Sequence, residues 1–137
     1  MTNFIERMYK KFSWVNADTG LLFLRFGVGA IFIATGWMKV SDMHATVGFF
    51  ATLGFSAFWA YLASWVELLG GITVLLGIGI YTRVAAKLLS IVMLVAIYLL
   101  RDNFTMVMLP FLMFFAAFAL MMTGSGKYSV MREKNLK

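Results

Sequence analysis

A single carboxylate lies in the middle of a long apolar stretch of this chain. Between Phe55 and Tyr81, Glu67 is the only residue with a formal charge, and a helix of that length can cross the ~30 Å hydrocarbon core of a bilayer. A charged side chain at that depth is costly in free energy and normally faces a bundle interior or a wet cavity. We therefore expect Glu67 to point into protein, towards a partner.

The face of the helix that carries Glu67 consists mostly of small residues. At helical spacing it also includes Ala60, Ala63, Ser64, Gly70, Gly71, Val74 and Gly77. Small residues allow a second helix to approach closely within a membrane. The sequence therefore predicts close helix packing at five glycines: Gly29, Gly36, Gly70, Gly71 and Gly77.

The composition excludes a soluble domain. Hydrophobic residues make up 62% of the 137 residues, charged residues 13%, and the mean hydropathy is +0.87. A soluble domain of this size could not cover so much apolar surface. We expect one membrane domain over residues 1–137, in contact with the lipid bilayer, and no nucleic-acid partner despite the net charge of +6.

The chain has no cysteine and one histidine, His44. Disulfides, thiol redox chemistry, iron–sulfur clusters, thiolate zinc sites and a bis-histidine haem are therefore excluded within it. With no metal site and no intrinsic cofactor expected, we do not expect the chain to be an enzyme on its own. Any redox role would need a borrowed cofactor, such as a quinone, or a partner.

The apolar runs predict an all-α fold, an integral membrane four-helix bundle. The spans are expected at about residues 21–39, 56–80, 84–100 and 104–123, with a tight turn at 81–83. Residues 3–15 read as an amphipathic helix in the membrane surface, and the connection that follows Ser41 as a short outer amphipathic helix that ends near Gly54. Asp18 and Thr19 are candidate N-caps for the first span.

The basic residues of the flanks predict the orientation of the chain. Counting Lys and Arg in the short flanks places nine on the side of both termini and two, Lys39 and Arg101, on the other. Cytoplasmic loops carry the excess of Lys and Arg. We expect both termini on the cytoplasmic side of the membrane.

Several short segments, in this order and spacing, resemble the DoxX family of small bacterial membrane proteins over about residues 20–130. They are Leu24-Arg25-Phe26-Gly27, Gly36-Trp37-Met38-Lys39, Phe50-Ala51-Thr52-Leu53-Gly54-Phe55, Glu67-Leu68-Leu69-Gly70-Gly71, Thr82-Arg83 and Thr123-Gly124-Ser125-Gly126-Lys127-Tyr128-Ser129. Thr35 stands where many relatives carry histidine. The resemblance implies a four-helix protein linked to respiratory or redox-protective complexes.

Three charged side chains form the candidate site. Arg25 and Lys39 of the first span lie roughly 21 Å apart along an ideal helix, and Glu67 falls between their levels on an antiparallel second span. We expect a buried site between these helices, with Thr35, Trp37, Ser64 and Trp65 as further hydrogen-bonding groups. Its surplus positive charge suits a carboxylate, a lipid phosphate or a quinone carbonyl, although a simple ion pair that fixes packing remains an equal alternative.

Three functions fit these features. The first is an accessory subunit of a membrane redox or respiratory assembly that binds a quinone or lipid at the Arg-Lys-Glu site. The second is a small transporter in which Glu67 carries a proton, although neighbouring cations stabilise the ionised form and oppose this role. The third is a non-catalytic scaffold or homo-oligomer that packs through a face with Ala30 and Ala34. The aromatic cluster Phe111–Phe118 is a candidate lining for a quinone, or a surface that faces lipid.

Overall fold

The structure, a computed structural model, describes residues 2–11 and 16–130. Those residues form six helices: α1 (Thr2–Lys11), α2 (Ala17–Ser41), α3 (Met43–Thr52), α4 (Ala57–Leu76), α5 (Gly79–Leu100) and α6 (Phe104–Thr123). Four of them, α2, α4, α5 and α6, are long and apolar enough to cross a membrane. The predicted all-α membrane bundle is confirmed.

Polar side chains begin the helices. The side chains of Asn16, Asp42 and Asn103 accept hydrogen bonds from the first turns of α2, α3 and α6 respectively. Each satisfies one of the backbone N–H groups that a helix leaves without an intrahelical partner. The predicted N-cap of the first span was therefore wrong: the cap is Asn16, and Asp18 and Thr19 lie inside the first turn.

The turn between the second and third spans lies earlier than expected. α4 ends at Leu76 because Gly77 adopts the left-handed conformation (φ 70°), which glycine reaches without the steric cost of a side chain. Gly79, with φ 49°, then starts α5. The predicted turn at residues 81–83 was wrong, since Tyr81, Thr82 and Arg83 lie within α5.

The four spans associate as two tight helix pairs. α2 packs against α4, and α5 packs against α6, while α4 joins the pairs through α5. The shared core consists of Val28, Phe32, Val74, Ala85, Ala86, Leu89, Met93, Met113, Ala117 and Leu120. The bundle has two ends: the α3 end, where α3 connects α2 to α4, and the terminal end, where residues 124–130 follow α6.

The glycines of the α2–α4 contact allow the two backbones to meet. A Cβ atom on Gly36 would lie 2.5 Å from the backbone nitrogen of Leu68, and one on Gly71 would lie 2.8 Å from the nitrogen of Ile33. Gly29 is similarly close to Leu75. Gly70 instead contacts the side chain of Leu89 in α5. Helix pairs of this kind in membranes depend on van der Waals packing between small residues.

Candidate functional site

Glu67 is buried in the protein, as expected from its sequence context. It is 1% exposed and lies halfway along α4. Its Oε1 accepts a hydrogen bond from Lys39 Nζ at 2.5 Å, and its Oε2 accepts one from Thr35 Oγ1 at 3.0 Å. Both donors come from α2, the helix that the glycines bring close. A buried ion pair is stable only when further hydrogen bonds offset the loss of solvation, and Thr35 provides one.

The Lys39 side chain reaches Glu67 from the end of its helix. Lys39 lies in the last turn of α2 and its side chain is 33% exposed, compared with 2% for Glu67. Its backbone carbonyl accepts a hydrogen bond from Thr46 of α3. The carboxylate is therefore the enclosed member of the pair, and the ammonium group is the member closer to the α3 end.

A cavity of about 580 Å³ adjoins this ion pair. It lies between the two helix pairs, and the residues with a charged or hydroxyl side chain among those that line it are Thr35, Lys39 and Glu67. The rest of the wall is apolar and includes Phe50 and Leu53 at the α3 end. Pockets for small lipophilic molecules have this character: a mostly apolar wall with a few placed polar groups.

The cavity wall contains residues from α2, α3, α4, α5 and α6. Its remaining members are Ile31, Phe32, Phe49, Phe55, Trp59, Leu62, Ala63, Val66, Leu88, Ile91, Val92, Met93, Val95, Ala96, Leu99, Leu100, Met106, Leu109, Pro110 and Met113. The sequence interpretation missed this cavity because apolar residues that face a void have the same helical spacing as residues that face a core. The sequence feature that came nearest to indicating the cavity was the row of apolar residues in the short helix α3.

Arg25 lies away from Glu67, contrary to the expected three-charge site. It is 1% exposed, and its guanidinium donates to the carbonyl oxygens of Val74 (3.0 Å), Leu75 (3.0 Å), Ser125 (2.9 Å) and Tyr128. Those groups lie at the terminal end, where α4 ends. Glu67 precedes Val74 by seven residues, or roughly 10 Å along the helix axis. The Arg25 guanidinium therefore lies that much closer to the terminal end than the Glu67 carboxylate does.

The carbonyls at the end of α4 explain why Arg25 lies there. The last carbonyls of a helix lack N–H partners and carry a partial negative charge, so a buried guanidinium is stabilised without a carboxylate. Arg83 has a similar role at the end of α6, where it donates to the carbonyls of Met121 and Met122. Gly77, one of the predicted packing glycines, lies directly against the Arg25 guanidinium.

Three other predicted site residues also lie outside the cavity wall. Ser64 is fully buried, but its hydroxyl donates to the carbonyl of Ala60 at 2.6 Å. Trp37 and Trp65 are 62% and 45% exposed. Indole rings on the outer surface of a membrane helix bundle suit contact with lipid. The structure therefore brings together Thr35, Lys39 and Glu67, and not the larger predicted set.

The aromatic cluster of α6 is also outside the cavity. Phe111, Phe115 and Phe118 are 55%, 54% and 43% exposed, and the cavity instead meets α6 at Met106, Leu109, Pro110 and Met113. Of the two interpretations of this cluster, the surface that faces lipid is the one that the structure favours. Within residues 2–11 and 16–130, no group of three or more His, Cys, Asp or Glu side chains could hold a metal ion.

The fold and the site together define a class: a small multi-pass membrane protein in which a buried ion pair borders an apolar cavity. The family model described as DoxX matches residues 20–102, more than half of the chain, and the protein belongs to the DoxX family. The matched range runs from the first turn of α2 to just beyond α5 and includes Arg25, Lys39 and Glu67. Comparisons with curated proteins and with solved structures gave no match.

Proposed function

We propose that this DoxX protein binds a quinone-class lipid in the cavity, with the ring of the lipid beside Lys39 and Glu67. In this proposal it is an accessory subunit of a redox or respiratory assembly in the bacterial plasma membrane, and both of its termini are cytoplasmic. The observation that carries the proposal is an ion pair in the wall of an otherwise apolar cavity. A lipophilic ring with polar oxygens matches such a wall.

The separation of Arg25 from Glu67 limits the kinds of ligand that suit the cavity. With Arg25 at the terminal end, the charges beside the cavity are one ammonium and one carboxylate, and their sum is zero. A carboxylate or phosphate ligand would gain no net attraction there and would meet Glu67. A neutral quinone head avoids that repulsion, while Lys39 keeps two N–H groups beyond the one that Glu67 accepts. This favours the quinone over the anionic ligands.

The ion pair argues against the proton-carrying transporter. Lys39 and Thr35 both donate to Glu67, so protonation of the carboxylate would break the salt bridge and leave the half-buried ammonium group of Lys39 without its partner. That cost opposes a cycle in which Glu67 gains and loses a proton. The scaffold alternative gains no specific support from the cavity, because a protein that only packs against partners needs no internal void.

Co-purification tests the proposal. The protein is extracted from its own membranes in a mild detergent, and the bound lipids are identified by chromatography and mass spectrometry, together with any proteins that accompany it. We expect a quinone at a near-stoichiometric level, and a much lower level with Lys39→Met. The control variant Ser90→Ala, whose hydroxyl bonds within α5, should retain the wild-type level. Wild-type preparations with no more quinone than Lys39→Met would contradict quinone binding. Proton-linked flux in liposomes would instead favour transport.

A further inference from the structure

We propose that α1 is a docking surface for acidic phospholipids, and that the anionic headgroups of the membrane surface hold it beside the bundle. The proposal is independent of the cavity ligand. It rests on the two faces of α1, on the length of the link to α2 and on the charge of the nearby end of the bundle.

α1 has two chemically distinct faces. One side of α1 carries four apolar or aromatic residues at helical spacing, Phe4, Ile5, Met8 and Tyr9. Their side chains are 67%, 45%, 47% and 61% exposed. None of the ten residues of α1 is buried against the bundle. The apolar face of α1 is therefore not packed against the bundle, and an amphipathic helix with this division of residues suits the membrane interface.

The opposite face is basic. Arg7 and Lys10 lie on that side of α1 and Lys11 lies at its edge, so α1 has three positive charges against one negative charge from Glu6. Lysine and arginine side chains reach from such a helix into the headgroup layer while their aliphatic stems cover apolar surface. The charge of this face is complementary to phosphatidylglycerol and cardiolipin, and not to zwitterionic headgroups.

Chain length confines α1 to one side of the membrane. Only residues 12–15 separate Lys11 from Asn16, so the two can be at most about 18 Å apart even when the link is fully extended. Asn16 caps the start of α2, which lies at the terminal end of the bundle. α1 is therefore tethered near the surface of the bilayer at that end.

The same end of the bundle carries further exposed basic side chains, Lys87 of α5 and Lys127 of the segment after α6. Positive charges on one side attract anionic lipids into the same leaflet, and each basic residue near a charged surface adds about a fivefold preference. The three basic residues of α1 together account for a preference of up to about a hundredfold, before Glu6 reduces it. Salt should weaken this preference, because these charges are exposed.

A spin label tests this surface in the full protein. The chain has no cysteine, so Tyr9→Cys gives a single labelling site on the apolar face of α1. The labelled protein is reconstituted into vesicles of phosphatidylcholine alone, or of a three-to-one mixture with phosphatidylglycerol, and the depth of the nitroxide is measured from its accessibility to oxygen and to a water-soluble nickel complex. We expect the label to lie below the headgroups in the mixed vesicles and to be more accessible to nickel in phosphatidylcholine alone.

Two sets of substitutions distinguish the effect of the α1 charges on the depth of α1 from the effect of the bundle charges. With Arg7→Gln, Lys10→Gln and Lys11→Gln together, the label in mixed vesicles should behave as it does in phosphatidylcholine. The matched control, Lys87→Gln with Lys127→Gln, removes exposed charges from the same end and should change the depth of α1 much less than the three α1 substitutions do. A label that stays in water in both vesicles, or a depth that neither the lipid nor the α1 substitutions change, would overturn the proposal.

Discussion

The Arg25 guanidinium in α2 donates a hydrogen bond at 2.9 Å to the backbone carbonyl of Ser125, one hundred residues further along the chain. The same group also binds carbonyls of Val74 and Leu75 at the end of α4. The backbone N–H of Val130 donates to Leu76 at 2.9 Å, next to that cluster. One buried cation therefore connects α2, α4 and the segment that follows α6.

Replacement of Arg25 with lysine should destabilise the protein and release this segment. A lysine ammonium keeps the charge but cannot direct donors at four separate carbonyls, so we expect a loss of about 2–4 kcal/mol in the free energy of unfolding. Thermal unfolding in detergent measures the stability, and trypsin cleavage after Lys127 measures the release of the segment. Arg101→Lys is the control, since Arg101 is exposed and stacks on Tyr98. Equal effects of the two substitutions would contradict the role of Arg25.

The sequence predicted the bundle well because the membrane limits the possible structures. Long apolar runs in a bilayer have to form helices whose backbone groups are paired internally, so four spans and an inward-facing Glu67 follow from hydropathy and periodicity. The helix face that carries Ala60, Ser64 and Val74 is buried as expected. The small residues around Glu67 correctly indicated that a neighbouring helix would approach closely.

The candidate site was only partly predictable. The three charged residues of the expected site, Arg25, Lys39 and Glu67, are all buried or half-buried. A sequence gives the position of each residue along its helix, but it does not give the direction in which a long flexible side chain extends. The carbonyls at the end of α4 compete with Glu67 for Arg25, and their position depends on where the helix ends. Because the turn was placed at Tyr81 and not at Gly77, those carbonyls were not recognised as acceptors at the level of Arg25.

Gly36→Ala should separate α2 from α4. The added Cβ would lie 2.5 Å from the nitrogen and 2.7 Å from the Cα of Leu68. These are backbone atoms, which cannot move aside as the end of a flexible side chain can. We expect a loss of at least about 1–3 kcal/mol, measured as a lower midpoint of unfolding in detergent. Gly27→Ala is the matched control on the same helix, because nothing lies within 4 Å of its added Cβ. If both variants unfold at the same midpoint, the close α2–α4 contact is not important for stability.

The ion pair can be tested with a double-mutant cycle. Lys39→Met leaves the Glu67 carboxylate buried without its cation, and we expect a loss of about 3 kcal/mol, at the low end for such pairs because Lys39 is partly exposed. Glu67→Gln should cost less, since glutamine still accepts the Thr35 hydrogen bond. The double variant should recover most of the stability lost in Lys39→Met. Strictly additive effects on the unfolding free energy would mean that the two side chains do not interact.

Single cysteines test the proposed orientation. Asp102→Cys lies in the exposed turn between α5 and α6, at the α3 end, and Glu6→Cys lies on the exposed α1. We expect an impermeant maleimide added to intact cells to label residue 102 directly, and to label residue 6 only after the membrane is permeabilised, because the basic flanks favour the cytoplasmic side. The reverse pattern would place the α3 end, and with it the proposed quinone site, at the cytoplasmic face.

Filling the cavity should remove the ligand and leave the fold intact. Ala96 of α5 lines the cavity, and its replacement with phenylalanine puts a ring into the cavity without displacing protein atoms of the core, so the unfolding midpoint should stay constant or rise. Bound quinone, measured by extraction from the purified protein, should fall to the background level. Ala119→Phe adds the same ring to the exposed surface of α6, outside the cavity wall, and should retain wild-type quinone. Equal amounts of bound quinone in the two variants, whether lost in both or retained in both, would contradict binding in this cavity.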